Sequence, residues 1–508
     1  MSRATRYIVN VIWSSASVGV GLLIAIFMTP ITLGYLGETR YGEWTIALSL
    51  VEYYWLIDLG FRSATVKFSA EYNAVGDRAK LSELLSTGVL YSSMTAVLVI
   101  VISIVFAGPV AAAEHLEHPA LLRIVGVSWG IGMIFNIFSG CLEGFQRFDL
   151  LGRIWMGTSL ARSMCILVVL KLGYGILAMG WVLFGSQMAV YLWTWLTFRR
   201  MVPDAHVSVF AGTAKMLKHL ARYGLNMLTA QVATRILSMS VPLVIGAMLA
   251  PRFVTYWAIP VKMMEYAFDA IGRIGMVTTP ASAEFAARGE RERLHELGVY
   301  TNRYCMALFA PYAAFLLIYG QQAYILWSHK PNVVANGGFL IPILLLGYCA
   351  VAGQFNSASI LHGLGRHQTY VRFMLGESLL VVAGLFVILP RYGLAGAAWI
   401  LATLMALDRG VLVAVLFCRE IKINPIVYIA QIYTRPVGLG ALMTLALWLL
   451  RTSWLPGDSW LQVGTALAIA GSLYAGLAAA LVLTPQHREH LLRKFAPWLG
   501  ARAEANIS

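Results

Sequence analysis

The stretch Leu85–Gly108, LSTGVLYSSMTAVLVIVISIVFAG, runs 24 residues without a charged side chain. As a helix it would extend about 36 Å at about 1.5 Å per residue. That exceeds the roughly 30 Å of a bilayer's hydrocarbon layer. Similar stretches recur along all 508 residues, of which 59% are hydrophobic and only 12% charged, with a mean hydropathy of +0.71. Water cannot hold so much apolar surface, whereas lipid can. Strands of an outer-membrane barrel would alternate in short segments, a pattern not seen here.

Breaks at Gly, Pro and charged residues predict spans near 8–33, 42–66, 85–108, 120–141, 154–171, 176–198, 221–249, 253–284, 300–327, 338–361, 370–389, 393–417, 437–450 and 460–483. With the N-terminus inside, the inner segments carry 24 Lys and Arg and the short outer loops carry 6. This asymmetry predicts an inner-membrane protein with both termini cytoplasmic. The net charge of +14 therefore reflects topology and contact with anionic lipid, not nucleic acid. The connections near 199–220 and 418–436 look amphipathic or interfacial.

Shifted by 213 residues, Trp44, Ile46, Glu52, Tyr53, Ala70 and Glu71 meet Trp257, Ile259, Glu265, Tyr266, Ala283 and Glu284. Six helices separate the two copies, an even number, so the repeat is parallel. The expected architecture is an all-α polytopic membrane protein of about 14 transmembrane helices. Two six-helix bundles are related by a pseudo-twofold axis along the membrane normal, and two extra C-terminal helices follow. The corresponding domains are 1–200, 201–417, 418–484 and a basic cytoplasmic tail over 485–508.

Ionisable residues inside a membrane cost roughly 2.5–3.5 kcal/mol on insertion scales, so they normally face a cavity or a partner. Helix 8 of the expected fourteen aligns Lys262, Glu265, Asp269 and Arg273 on one face. Helix 7 aligns Gln231, Thr234, Arg235 and Ser238, and helix 1 aligns Asn10, Ser14, Ser17 and Gly21. Helix 2 adds Glu52, Asp58 and Arg62, and helix 5 adds Arg162. These rows outline a hydrated cavity, or alternatively a set of internal ion pairs. No two of the ten histidines sit at ligand spacing on one helix, and the five cysteines form no CxxC. No nucleotide-binding loop is visible. Neither a metal, nor a cofactor, nor a catalytic residue is expected.

Residues Pro30–Lys67 read PITLGYLGETRYGEWTIALSLVEYYWLIDLGFRSATVK. Their Pro30, Leu36-Gly37, Tyr41-Gly42-Glu43-Trp44 and Asp58-Leu59-Gly60 resemble the polysaccharide transporter family of the multidrug/oligosaccharidyl-lipid/polysaccharide exporter superfamily. The resemblance implies a flippase, not an enzyme. It would carry polyprenyl-diphosphate-linked oligosaccharides to the outer leaflet by alternating access, coupled to an ion gradient. Membrane lipids and other polysaccharide-assembly enzymes would be further partners. Arg is favoured for bidentate contact with phosphate. The diphosphate and glycan would accordingly lie among Arg62, Arg162, Arg235, Lys262, Arg273, Asn10, Gln231 and Tyr53. Glu52, Glu265 and Asp269 would couple the ion. The buried charges balance at six cations and six anions, so the carboxylates either titrate or sit in pairs. A lipid II or multidrug exporter of the same superfamily stays open, as do a membrane glycosyltransferase or polymerase and a non-transporting scaffold.

Overall fold

A backbone in hydrocarbon must satisfy its own N–H and C=O groups, and helices do so within one segment. The computed structural model describes residues 3–484 except 59, 206 and 209–211, together with 487–489. Side chains are described for these residues apart from 3–12, 14, 15, 225–230, 269, 270, 273–277 and 367, so Asn10, Asp269 and Arg273 lie outside them. The first half contains α1 (Arg3–Glu52), α2 (Phe61–Val75), α3 (Arg78–Val105), α4 (Ala107–Ala113), α5 (Pro119–Gly144), α6 (Phe148–Lys171), α7 (Ile176–Met201) and α8 (Ala214–Met248). The second contains α9 (Pro251–Ala287), α10 (Arg291–Ser328), α11 (Pro331–Gly337), α12 (Leu340–Ala352), α13 (Phe355–Gly363), α14 (His367–Met405), α15 (Val413–Ile421), α16 (Pro425–Ser453) and α17 (Trp460–Leu481). A π-helical stretch over Ala406–Leu412 joins α14 to α15.

No strand occurs among the described residues, and 11 helical segments are long and apolar enough to cross a membrane. The chain is an all-α, multi-pass membrane protein. One of the eleven, Ala16–Leu56, is kinked at Gly37 (φ 76°), and another, Gln368–Ile421, at Gly393 (φ 56°). Each covers parts of two expected spans. The charged helix α9, over the expected span 253–284, is not among the eleven.

Local chemistry sets the helix ends. The side chains of Asp77, Thr213 and Asn424 accept the N–H of Lys80, Met216 and Ile426, the usual N-cap device. Pro119 and Pro425 open α5 and α16, where a missing N–H costs nothing. Helix reaches into both connections near 199–220 and 418–436: α8 begins at Ala214, the described residues between α7 and α8 are not helical, and only 422–424 separates α15 from α16. One expectation needs correction, because the span expected over 42–66 is not continuous. It stops at Glu52, passes through one 3-10 turn (Tyr53–Leu56) and restarts at Phe61 after Gly60 (φ 72°).

Contacts divide the chain into two compact units. One comprises Met1–Ala258, Ser328–Val333 and Met374–Leu394, the other Ile259–Trp327, Val334–Phe373 and Ala395–Ser508. In the first unit α5 packs against α2, α3 and α7, α6 lies against α1 and α7, and α8 lies against α1 and α2. One of its apolar clusters gathers Phe61, Phe68, Leu84, Phe138 and Phe198, another Leu36, Val51, Leu121, Val125 and Ile176. The second unit packs Ile360, Phe417, Tyr428 and Ile432 together.

Candidate functional site

The break after Glu52 shapes the polar interior of the first unit. Asp58 turns the chain there: its side chain accepts the N–H of Arg62 at 3.0 Å, and its carbonyl accepts that of Phe61 at 2.9 Å. Gly60 then passes so close to α8 that a Cβ would sit 2.5 Å from the carbonyl oxygen of Gly224. The guanidinium of Arg62 is thereby aimed at α5. It donates to Asn136 Oδ1 at 2.9 Å and Ser139 Oγ at 3.4 Å, and pairs with Glu143. Its other side faces the Trp55 ring, 5.9 Å from the centroid.

These groups open on a cavity of about 270 Å³. This is just below the roughly 300–1,000 Å³ common for ligand pockets. Trp155, Tyr191, Phe135 and Phe148 line it beside Arg62 and Glu143. Tyr191 stacks on Phe135 at 5.7 Å, and Trp155 lies over Gly21, where a Cβ would meet the indole at 2.6 Å. Flat aromatic faces beside hydrogen-bonding groups suit a ring that is apolar on one side and hydroxylated at its edge.

A second junction lies between the end of α1 and α8. Glu52 is ion-paired with Arg235, and the Tyr53 and Ser240 hydroxyls share a hydrogen bond. Two groups to which the sequence reading gives separate roles, an ion-coupling carboxylate and a diphosphate-binding cation, are thus one pair. Arg162 differs. It is half-buried in the middle of α6 and has neither an ion pair nor a hydrogen bond to any described residue. Seven residues beyond Trp155, it shares that residue's helix face about 10 Å further along.

Gln231 is exposed on α8. In the second unit Lys262 is half-buried and Glu265 exposed on α9, each engaged with neighbouring groups. The sequence reading misses the partners of Arg62. Asn136, Ser139 and Glu143 are spaced 3 and 4 apart, on one face of α5, and that spacing was legible. Glu143 falls past the expected end of its span at 141, which placed it in a loop.

Nine residues before Glu52 on α1, Glu43 is fully buried. It accepts the Glu117 N–H at 3.1 Å and meets His118 Nδ1 at 3.2 Å. Ligand atoms of Glu43, Glu117 and His118 lie within 4.8 Å of one another. Both Glu43 oxygens are already engaged, and they fasten the turn leading into α5. Glu114 nearby is 7% exposed, its Oε2 has no hydrogen-bond partner among the described residues, and burial pushes its carboxyl up to about 8.

The profile of a family described as polysaccharide biosynthesis protein matches residues 8–286, more than half of the chain. A Shigella flexneri protein named "Putative O-antigen transporter" is 22% identical over 406 residues, covering 77% of this chain and 92% of its own. Among solved structures, the lipid II flippase MurJ in an inward closed conformation is similar with a TM-score of 0.70 at 13% identity, covering 93% of this chain and 98% of its own. An inward-facing multidrug resistance MATE family transporter of the MOP superfamily reaches 0.58 at 16% identity, covering 83% and 95%.

Proposed function

Because the chain belongs to the polysaccharide biosynthesis protein family, we propose that it is a flippase moving polyprenyl-diphosphate-linked oligosaccharide repeat units across the bacterial inner membrane. Its relatives by name are a flippase and transporters, and the chain itself is a multi-pass membrane protein. In this reading it has about 14 crossings, cytoplasmic termini, the two repeated six-helix domains over 1–200 and 201–417, and beyond them the segments 418–484 and 485–508.

The observation that carries the proposal is Arg162. A cation at mid-depth without a counter-anion among the described residues is costly unless its ligand supplies one. A cation-exporting multidrug site would place a carboxylate there. A diphosphate brings the anion, and the cavity two helical turns away offers aromatic faces and hydrogen bonds to the attached sugars.

The Glu52–Arg235 pair gives the cycle its coupling. A diphosphate competes with Glu52 for Arg235, because both are anions offering oxygen pairs to one guanidinium. Once displaced, a half-buried carboxylate takes up a proton or Na⁺ to avoid an unpaired charge. Return of Glu52 to Arg235 expels the headgroup. Lys262, Glu265, Asp269 and Arg273 play the matching part in the second unit, with Asn10, Gln231 and Tyr53 contacting the glycan.

Expression in a strain lacking its O-antigen flippase tests this. The chain should restore surface polysaccharide, and Arg162→Ala, inserted in equal amount, should lower it at least tenfold. Correct insertion without any restoration by the unaltered chain, across several donor glycans, would reject the proposal.

A further inference from the structure

At one end of the second unit, α10, α16 and the residues following α17 enclose a cavity of about 370 Å³ lined by Tyr300, Arg303, Gln431, Arg435 and Thr484. Thr484 lies just past the end of α17 at Leu481, so the cavity sits at the level where that helix leaves the bilayer. The positive-inside count assigns this end to the cytoplasmic face.

Arg303 is only 9% exposed, yet its sole hydrogen bond to a described residue runs from Nε–H to the Gln431 carbonyl at 2.8 Å. Its guanidinium lies 5.7 Å from the Tyr300 ring centroid. Arg435, whose Nη1 donates to the Leu481 carbonyl at 2.8 Å, is near enough to oppose the charge of Arg303. No described carboxylate lies within 4.0 Å of either guanidinium. The side-chain oxygen of Gln431 is buried without a partner among the described residues, and half a turn of that amide presents N–H groups instead. The segment beyond α17 folds back over this place: the Tyr304 hydroxyl bonds His487 Nδ1 at 2.6 Å, and the His487 N–H donates to Thr484 Oγ1 at 3.3 Å.

Two guanidiniums held together, one of them buried, with unused donors facing a cavity, call for an anion that several N–H groups can grip at once. We propose that this cavity binds a phosphate ester, the phosphodiester headgroup of an anionic phospholipid from the adjoining leaflet. Inorganic phosphate is the other source of the same chemistry. Basic pockets between helices at a cytoplasmic face hold lipid headgroups in this manner. The occupant bridges α10 to α16 and α17, the two helices outside the sequence repeat, and clamps them independently of the translocated glycan. Glu292 and Glu296 also line the cavity and are the rival counter-ions.

The full-length protein, purified with phosphatidylglycerol or with phosphatidylcholine alone, is assayed by native mass spectrometry for retained lipid. The expected result is one tightly held phosphatidylglycerol, with retention at least tenfold lower in Arg303→Gln and Arg435→Gln. Arg435 is exposed, so its variant keeps the test open should Arg303→Gln fail to fold. In a second arm, inorganic phosphate raises the melting temperature of lipid-stripped protein. A phosphate effect lost in both variants, with no retained lipid, assigns the site to free phosphate. Glu292→Gln with Glu296→Gln should strengthen either ligand severalfold. Equal lipid retention in all variants together with no phosphate response would overturn the proposal and leave the two glutamates as the counter-ions. None of these outcomes depends on whether the protein flips a glycan.

Discussion

Glu114 shows how one residue can carry a measurable charge effect. Its backbone N–H caps the end of α4, and its carboxyl is packed against Gly246, where a Cβ would stand 2.4 Å from Oε2, with Ile46 also against that glycine. Burial raises the carboxyl from an ordinary 4.5 to about 8. Between those values the folded protein holds a proton that the unfolded chain has released. The contribution to stability is therefore complete below about 4.5 and is lost as pH rises through about 8. Over that window it falls by about 1.4 kcal/mol per pH unit. Thermal unfolding in detergent should show the unaltered protein losing stability from pH 5.5 to 8.5 relative to Glu114→Gln; parallel curves would contradict it. Arg162 and Arg235 were legible in the sequence because a charge in an apolar run is conspicuous. The partner of Arg235 was not, since Glu52 lies 183 positions away and no periodicity reports so distant a pairing.

At the scale of elements, the break between α1 and α2 positions much of the polar interior. It rests on Gly60, whose φ of 72° and contact with Gly224 leave no space for a side chain. Gly60→Ala should cost at least about 1–2 kcal/mol in backbone strain alone, with the clash added. The same change at Gly19, which has nothing within 4 Å, should be nearly neutral. Comparing melting temperatures of the two variants checks this, and equal values would show that the turn is not constrained. Hydropathy could not reveal the break, because Tyr53–Ile57 is as apolar as its flanks and only Asp58-Leu59-Gly60 signals a turn. The motif that carries the family resemblance now has a physical cause at Gly42 as well, where a Cβ would lie 1.8 Å from the Pro251 carbonyl.

At the scale of the whole molecule, apolar length and the scarcity of charge made the membrane class legible, because lipid sets both. The cavity was less so: its walls come from α1, α2, α5, α6 and α7, and only the folded chain brings Trp155, Tyr191 and Glu143 beside Arg62. The central claim is that these groups serve passage of an anionic, lipid-linked glycan. Proteoliposomes carrying a polyprenyl-diphosphate-linked oligosaccharide in the inner leaflet, with an ion gradient imposed, test it most directly through a membrane-impermeant glycosidase outside. The account predicts that glycan becomes cleavable at least tenfold faster with the protein than in protein-free vesicles, and that Arg162→Ala removes the gain. Cleavage no faster than in protein-free vesicles, with the protein folded and the gradient held, would contradict it.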